Sequence, residues 1–273
     1  MDFVNEIGEE PVGGEVRLLL IYYIARKMEE GVSAAVVNKN VSGLAFLFKL
    51  QGQMDFTKDF WVRQAMKGYR KAWVKKDVRR PVTFEILQGV IAQLERVCSS
   101  GYEVLLFKVA FLLAFFGAFR IGELVSPSKK VQGGLNYQDV KCEAEALQLY
   151  LRKSKTDQLG RGRIVRVYPV VGSVLCPVGT VREFLSLRPA GMGPLLVHSG
   201  GECLSRFQFG AVFAKCIRGL GLTEKDFSSH SFRIGAATEA ARNGLGEEMV
   251  KKIGRWESKR FQSYVRPNLV VSL

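Results

Sequence analysis

Residues 230–241 read HSFRIGAATEAA and residues 254–267 read GRWESKRFQSYVRP, and these two segments decide which fold the carboxyl-terminal part of the chain adopts. The pattern from Ser231 to Asn243 predicts a helix, with Gly244 placed to close it. On a helix that begins near His230, the side chains of His230 and Arg233 share one face, with about 5–6 Å between their Cβ atoms. An H-x-x-R pair is common on protein surfaces, so its meaning depends on the residues that accompany it.

Two further segments supply cationic side chains. Arg120 lies in FRIGEL, residues 119–124, and Lys155 lies in KSKTD, residues 153–157. Two arginines can bind both non-bridging oxygens of a phosphate through charge-assisted hydrogen bonds, histidine and tryptophan N–H groups can add contacts, and a tyrosine can supply a nucleophilic oxygen. The combined set suits chemistry on a phosphodiester, and we expect no metal and no other cofactor. Its members are Arg120, Lys155, His230, Arg233, Trp256 and Tyr264.

In order and spacing, these motifs resemble those of the tyrosine recombinase (phage integrase) family. The resemblance covers about residues 82–267 and is carried by five elements: Arg120-Ile-Gly-Glu123, Ser154-Lys155-Thr-Asp, His230-Ser-Phe-Arg233, Gly-Arg-Trp256 and Tyr264. Five elements in the right order are far more specific than any one alone. The wording of residues 230–241 and 254–267 is most similar to recombinases of eukaryotic mobile elements of the DIRS, Ngaro and Crypton kind.

The resemblance implies a role for each of these side chains. The arginines and His230 would bind the phosphate, and Tyr264 would attack phosphorus to give a 3′-phosphotyrosyl link and a free 5′-hydroxyl, without ATP. Because a phenol is mostly protonated at neutral pH, neighbouring cations or His230 must assist its deprotonation. Lys155 would protonate the 5′ leaving oxygen.

Three residues have alternative interpretations. Trp256 stands where many relatives have a second histidine, and an indole can donate a hydrogen bond but cannot shuttle a proton, so core packing is the competing role. Lys155 could instead bind backbone phosphate only, and Lys153 lies two residues away. Glu123 either holds Arg120 or His230 in place or is an ordinary exposed helix acid.

The resemblance and the residue pattern together predict a mainly α fold with a small antiparallel β-sheet, arranged as a two-domain DNA clamp. Helical periodicity in residues 16–26, 34–50 and 60–73, with Ser33 and Thr57 as N-caps, predicts a helical, SAM-like core-binding domain over residues 1–77. A charge run followed by Pro81 breaks the pattern, which places a linker at 78–81. Residues 82–273 would form the catalytic domain.

Within the catalytic domain, helices are predicted over 84–98 with Thr83 as N-cap, over 101–119, 178–187 and 207–219, and from Ser231 to Asn243. The apolar run 109–119 is too short for a membrane span, which needs about 20 residues, and predicts a buried helix that delivers Arg120 to the site. Alternation at Leu147, Leu149 and Leu151 predicts a strand, paired with a second strand at 164–168. Lys155 would lie near the tip of the hairpin between them.

Charge points to a polyanionic partner. The chain has 40 Lys and Arg against 26 Asp and Glu, a formal charge of +14, which suits nucleic acid or an anionic membrane surface. Two basic clusters favour double-stranded DNA as the partner, although charge runs are often only solvated faces. From the first we predict DNA contacts by Arg63, Lys67, Arg70, Lys71, Lys75, Lys76, Arg79 and Arg80, and from the second by Lys153, Arg161 and Arg163.

The cysteines and histidines exclude other kinds of site. Five cysteines, an odd number, stand far apart, and the chain has two histidines, so neither a disulfide framework nor a zinc site is indicated. No signal peptide is recognisable, which predicts an intracellular protein, in the nucleus if the source is eukaryotic as the resemblance suggests.

Three functions fit these observations. A site-specific DNA recombinase comes first, acting as a homodimer on each site and a tetramer in synapsis, as the resemblance implies. A type IB topoisomerase uses the same phosphotyrosine chemistry, and a DNA-binding protein domesticated from a transposon would retain the clamp without cleavage. The intact set of catalytic residues argues against the last. Many relatives continue after the tyrosine into a helix that docks on a neighbour, so delivery of Tyr264 in cis or from a neighbour is left open.

Overall fold

The computed structural model describes residues 13–73, 77–152 and 161–271 of the chain. The chain divides into two compact units, Met1–Asp77 and Val78–Leu273. The elements of each unit are mainly helical, and one small antiparallel sheet lies in the second unit. The prediction of a mainly α fold with a small antiparallel sheet is therefore confirmed.

The described part of the first unit contains three α-helices: α1 (Gly13–Glu29), α2 (Ala34–Leu50) and α3 (Phe60–Ala72). Ser33 caps α2, as predicted, by accepting a hydrogen bond from the backbone N–H of Val36. The prediction that Thr57 caps α3 is wrong. Thr57 lies in a 3₁₀ turn, where its own N–H and hydroxyl bond to Asp55, and the carboxylate of Asp59 caps α3.

The core of the first unit is small and apolar. It contains Leu20, Ile24, Ala34, Val37, Val41, Val62, Met66 and Tyr69. The Tyr69 hydroxyl donates to the carbonyl oxygens of Lys27 and Val32, which ties α3 to the turn between α1 and α2. The opposite face of α3 is left exposed, together with its basic side chains.

The second unit has seven helices in the described part of the chain and a three-stranded sheet. The helices are α4 (Phe84–Val97), α5 (Gly101–Phe116), α6 (Ile121–Leu124), α7 (Pro177–Leu187), α8 (Arg206–Gly219), α9 (Ser229–Arg242) and α10 (Glu247–Gly254). The sheet contains β1 (Val140–Cys142), β2 (Leu147–Leu151) and β3 (Arg163–Val167), in the order β1-β2-β3. Thr83 caps α4, as predicted.

Helix α5 runs through the centre of the core. It is almost wholly apolar, and from Leu105 to Phe115 every residue except the partly buried Lys108 is buried, in contact with α4, α7, α8 and α9. The helix ends at Phe116 and not at 119, because Gly117 closes it and Ala118 follows with a positive φ of 42°. This turn exposes the carbonyl oxygens of Gly117 and Ala118 to the site described below.

The sheet follows the predicted alternation. Leu147, Leu149 and Leu151 of β2 face the core, and β2 pairs antiparallel with β3, with Leu149 opposite Val165. Strand β1, which has three residues and pairs with β2 on its other side, was not predicted. The hairpin loop, residues 153–160, lies outside the described residues.

Helix α9 packs tightly into the unit. A Cβ on Gly235 would collide with the backbone carbonyl of Val82, so only glycine fits where α9 crosses the start of α4. The helix ends at Arg242, with Gly244 just beyond it at a φ of 78°, as its predicted closing role requires. Helix α10, which was not predicted, then leads to Arg255. No helix in the described ranges is both long and apolar enough to cross a membrane.

Candidate active site

Arg233 lies at the centre of the site and is fully buried. It projects from α9, and its two terminal nitrogens donate to the carbonyl oxygens of Ala118 and Gly254. Its guanidinium carbon lies 4.9 Å from the ring centroid of Trp256 and 5.6 Å from that of Tyr264. The arginine therefore joins the turn after α5, the end of α10 and the tyrosine segment.

Arg120 is held by Glu123 at the start of α6. Glu123 Oε1 accepts from Arg120 Nη1 at 2.7 Å, and Oε2 accepts from the Arg120 backbone N–H at 2.9 Å. Glu123 is buried whereas a quarter of the Arg120 side chain is exposed, so the guanidinium remains reachable from outside. The interpretation of Glu123 as an exposed helix acid is wrong, and its carboxylate holds Arg120.

Tyr264 ends a 3₁₀ helix, Lys259–Tyr264, that packs against α9. Its hydroxyl lies 2.9 Å from His230 Nε2, within hydrogen-bond distance. Its ring packs on Trp256 with a centroid distance of 4.7 Å, and its backbone carbonyl accepts from the Thr238 hydroxyl. The Tyr264 oxygen, the His230 imidazole and the buried Arg233 guanidinium thus lie together, although Tyr264 follows His230 by 34 residues in the chain.

Trp256 has the core-packing role that was considered from the sequence. It is 9% exposed and packs in a small apolar cluster with Ala237, Val250 and Phe261. Its indole Nε1 is buried and has no hydrogen-bond partner within the described residues. A Cβ on Gly254 would overlap the Trp256 ring, which explains the glycine in Gly-Arg-Trp.

A third arginine, Arg255, completes the site and was not predicted from the sequence. It is 8% exposed, and its guanidinium donates to the carbonyls of Gly117 and Ala118 and to Glu123 Oε2. The sequence feature that could have indicated Arg255 is its place in the Gly-Arg-Trp motif, next to Trp256, which was predicted to belong to the site. Burial of the guanidinium lowers the pKa of Arg255, and Glu123 opposes that shift.

Several positive charges lie close together in this pocket. Burial, and then the nearby charges of Arg255 and Arg120, lower the pKa of Arg233 to about 10. Arg120, Arg233 and Arg255 lie near one carboxylate, that of Glu123. Because its pKa is still about 10, the Arg233 guanidinium stays charged at neutral pH, and this buried charge costs free energy in the folded state. Arg233 Nε, Arg255 Nε and Trp256 Nε1 are buried donors that lack partners in the described ranges. Excess positive charge, with Arg120 partly exposed at its edge, suits the binding of an oxyanion.

The predicted DNA-contacting residues are distributed over several places. Arg63, Lys67, Arg70 and Lys71 lie on the exposed face of α3. Arg80 forms an ion pair with Asp226, the Arg79 carbonyl accepts from Arg266, and Arg161 and Arg163 are exposed at β3. Lys75, Lys76, Lys153 and Lys155 lie outside the described residues, so the site is described without its predicted general acid.

The chain resembles known recombinases in sequence and in fold. No family model matches it. It is 25% identical over 253 residues to the "Integrase/recombinase xerD homolog" of Selenomonas ruminantium, a match that covers 88% of this chain and 70% of that protein.

Several solved structures share the fold at low sequence identity. A lambda integrase dimer bound to a COC′ core site superposes with a TM-score of 0.63 at 15% identity, covering 96% of this chain and 84% of that one. The Tn1549 transposon integrase with circular intermediate DNA gives 0.58 at 15%, covering 94% and 81%, and the XerH recombinase bound to difH gives 0.54 at 12%, covering 86% and 67%. The chain is thus similar in sequence to an integrase/recombinase homolog and shares the fold of solved recombinases and integrases.

Proposed function

We propose that this protein is a site-specific DNA recombinase that cuts and rejoins DNA strands through a covalent link to Tyr264. One observation carries the proposal: the Tyr264 hydroxyl lies 2.9 Å from His230 Nε2, with its ring against Arg233 and Trp256. A nucleophile, a proton acceptor and a cation stand side by side, and binding alone would not require a tyrosine there.

The reaction follows from these positions. The Tyr264 oxygen attacks phosphorus, a P–O bond to the tyrosine forms, and the bond between phosphorus and the 5′ oxygen breaks. His230 is within reach to take the phenolic proton, and Lys155 is the proposed donor of a proton to the departing 5′ oxygen. Arg120 and Arg233 stabilise the charge that builds on the non-bridging oxygens. Attack by the freed 5′-hydroxyl on the phosphotyrosine reverses the step.

The proposed substrate is double-stranded DNA, held by the two units as a clamp. Helix α3 contains Arg63, Lys67, Arg70 and Lys71 and no acidic residue, which suits a run of backbone phosphates. Arg161, Arg163 and, from their sequence context, Lys75, Lys76, Arg79, Arg80 and Lys153 extend the proposed contacts. Lambda integrase is a dimer on its core site, and we propose a dimer on each site and a tetramer in synapsis.

A double variant Lys67→Ala/Lys71→Ala tests the role of α3. Each phosphate contact releases counterions, so removing two should reduce the salt dependence of binding, measured as the slope of log K against log salt concentration, by about 1.8. Both lysines are exposed and no ion pair holds either within the described residues, so the fold should be unaffected. The control is Lys49→Ala, an exposed lysine at the end of α2, which should leave the slope unchanged. An unchanged slope in the double variant would exclude α3 from the DNA interface.

The biological setting rests on motif wording. The amino-acid sequences of residues 230–241 and 254–267 are most similar to those of recombinases of the DIRS, Ngaro and Crypton elements. This similarity supports mobilisation of a transposable element as the proposed role and the nucleus as the proposed location. The relatives reported above include a bacterial recombinase homolog and the integrase of transposon Tn1549, which supports the family rather than a eukaryotic subfamily.

Trapping of a covalent intermediate tests the proposed function. We expect the protein, incubated with duplex DNA that carries candidate element termini and a nick just 3′ of the scissile phosphate, to give an adduct that survives denaturant. The nick lets the short 5′-hydroxyl fragment diffuse away, so the reverse step is lost. Relaxation of supercoiled plasmid by a monomer, without strand exchange, would instead indicate a topoisomerase.

Arg120→Ala should reduce adduct formation by about a thousandfold, because it removes a cation from the phosphate. DNA affinity should change by less than about threefold, since one phosphate contact matters little among many. Arg120 is the cleaner of the two arginines to test because it is partly exposed, whereas Arg233 is packed into the core. A collapse of affinity in this variant would contradict the assignment.

A further inference from the structure

Arg255 has an unusual backbone conformation and is more buried than most arginines. Its φ and ψ of 57° and 45° lie in the left-handed region, which costs about 1–2 kcal/mol for a residue with a Cβ. Glycine is the usual residue at such a helix end. The guanidinium is nonetheless turned inward and is 8% exposed. The surrounding contacts must offset both costs, and such strained residues cluster at functional sites.

The contacts of Arg255 are shared with the two arginines that we assign to the phosphate. Glu123 Oε2 accepts from Arg255 Nη2 at 2.9 Å, while the same carboxylate holds the guanidinium and backbone of Arg120. The Ala118 carbonyl accepts from Arg255 Nη2 at 3.1 Å and also from Arg233 Nη1. Arg255 therefore touches one partner of each arginine at the same time.

These contacts require a side chain that holds several hydrogen-bond donors in a fixed arrangement. Arg255 Nη1 donates to the Gly117 carbonyl at 2.6 Å, while Nη2 reaches Ala118 and Glu123. A guanidinium places these donors in one rigid plane, whereas the single nitrogen of a lysine is a point charge. Lysine could keep the attraction to Glu123 but could not hold the turn after α5 with the same geometry.

We propose that Arg255 is a positioning residue, which fixes the Gly117–Ala118 turn and the Glu123 carboxylate so that Arg120 and Arg233 converge on one phosphate. This inference rests on the proposed function. It assigns Arg255 no contact with the reacting atoms. Its effect on the reaction passes through the two other arginines, and in particular through the orientation that Glu123 gives to Arg120.

The test measures single-turnover adduct formation on the nicked duplex at saturating DNA, with Arg255→Met and Arg255→Lys. We expect about a hundredfold loss of rate for Arg255→Met and about a tenfold loss for Arg255→Lys, because a 1 Å misplacement can cost about that much. DNA affinity should stay within about twofold of the wild type. The control is Arg218→Met, which breaks an exposed pair with Glu224 and should leave the rate unchanged.

A second substrate separates positioning from general damage. When a methyl group replaces one non-bridging oxygen of the scissile phosphate, the phosphate loses its charge and needs less help from the arginines. We expect the defects of Arg120→Ala and Arg255→Met to shrink by similar factors, each at least about tenfold, on this neutral substrate. A structural defect would reduce the rate equally on both substrates.

The outcomes are distinct. Equal defects of Arg255→Met on the charged and neutral substrates, or a rate equal to that of the wild type, would overturn the inference and leave the proposed function standing. If Arg255→Met is unfolded by circular dichroism, Arg255→Lys supplies the same comparison. Absence of any adduct from the wild-type protein would instead count against the proposed function.

Discussion

A Tyr264→Phe variant is expected to bind DNA like the wild type and to form no covalent adduct. The substitution removes one oxygen, the proposed nucleophile, so the cleavage rate should fall below detection, by more than about ten-thousandfold. The phenylalanine ring has no oxygen with which to form a 3′-phosphotyrosyl link.

The structure indicates that this variant keeps its fold. The Tyr264 ring packs on Trp256, the backbone carbonyl bonds to Thr238, and both contacts survive in phenylalanine. The hydroxyl is half-buried and bonds to His230, so its loss should lower the free energy of unfolding by about 1 kcal/mol. Thermal unfolding and a filter-binding titration should therefore give values close to those of the wild type.

Tyr22→Phe is the matched control. Tyr22 lies on α1 in the first unit and is 64% exposed, so this variant should form adduct at the wild-type rate. Adduct that persists in Tyr264→Phe would show that another residue is the nucleophile. Loss of DNA binding in Tyr264→Phe would show that the hydroxyl supports the fold more than its contacts suggest.

An Arg233→Met variant is expected to remain folded and to lose cleavage. Removing the central guanidinium takes away the buried cation beside Tyr264, which should cost about a thousandfold or more in rate. Its effect on stability should be small, within about 2 kcal/mol. Adduct formation and chemical denaturation measured on the same preparation check both parts.

The small stability effect follows from opposing contributions. Burial and the neighbouring arginines lower the pKa of Arg233 to about 10, well below the ordinary value of a guanidinium, so its charge costs free energy in the folded state. This cost is fully present at neutral pH and is relieved only as the pH rises through about 10, where the folded protein releases the proton before the unfolded chain does. Methionine removes the charge, although it also removes the hydrogen bonds to Ala118 and Gly254.

Arg233→Ala provides the contrast. Alanine loses the same charge but leaves a cavity beneath Trp256, and large-to-alanine changes in cores cost about 2–5 kcal/mol. We therefore expect Arg233→Ala to be clearly less stable than Arg233→Met, with cleavage abolished in both. If the methionine variant were the less stable of the two, the charge of Arg233 would be stabilising the fold, and the argument from burial would be wrong.

Local pattern was sufficient for most helices and for two strands. Helix α9, the alternation of β2 and the caps Ser33 and Thr83 all depend on spacing and on short-range hydrogen bonds, which are visible in the sequence. Thr57 was misassigned because two candidate caps, Thr57 and Asp59, lie two residues apart, and the 3₁₀ turn that decides between them is a tertiary feature. Strand β1 is too short for alternation to be seen.

The sequence by itself indicated the fold class and, in Arg120, His230, Arg233, Trp256 and Tyr264, side chains that the structure brings close together, because ordered motifs are specific. Only the tertiary structure decided how they are held. That Arg255 is buried, that Glu123 also binds Arg255 and that Arg233 donates to the Ala118 carbonyl depend on contacts between segments more than a hundred residues apart along the chain. Burial and shared hydrogen-bond acceptors are properties of the folded chain, and no local pattern encodes them.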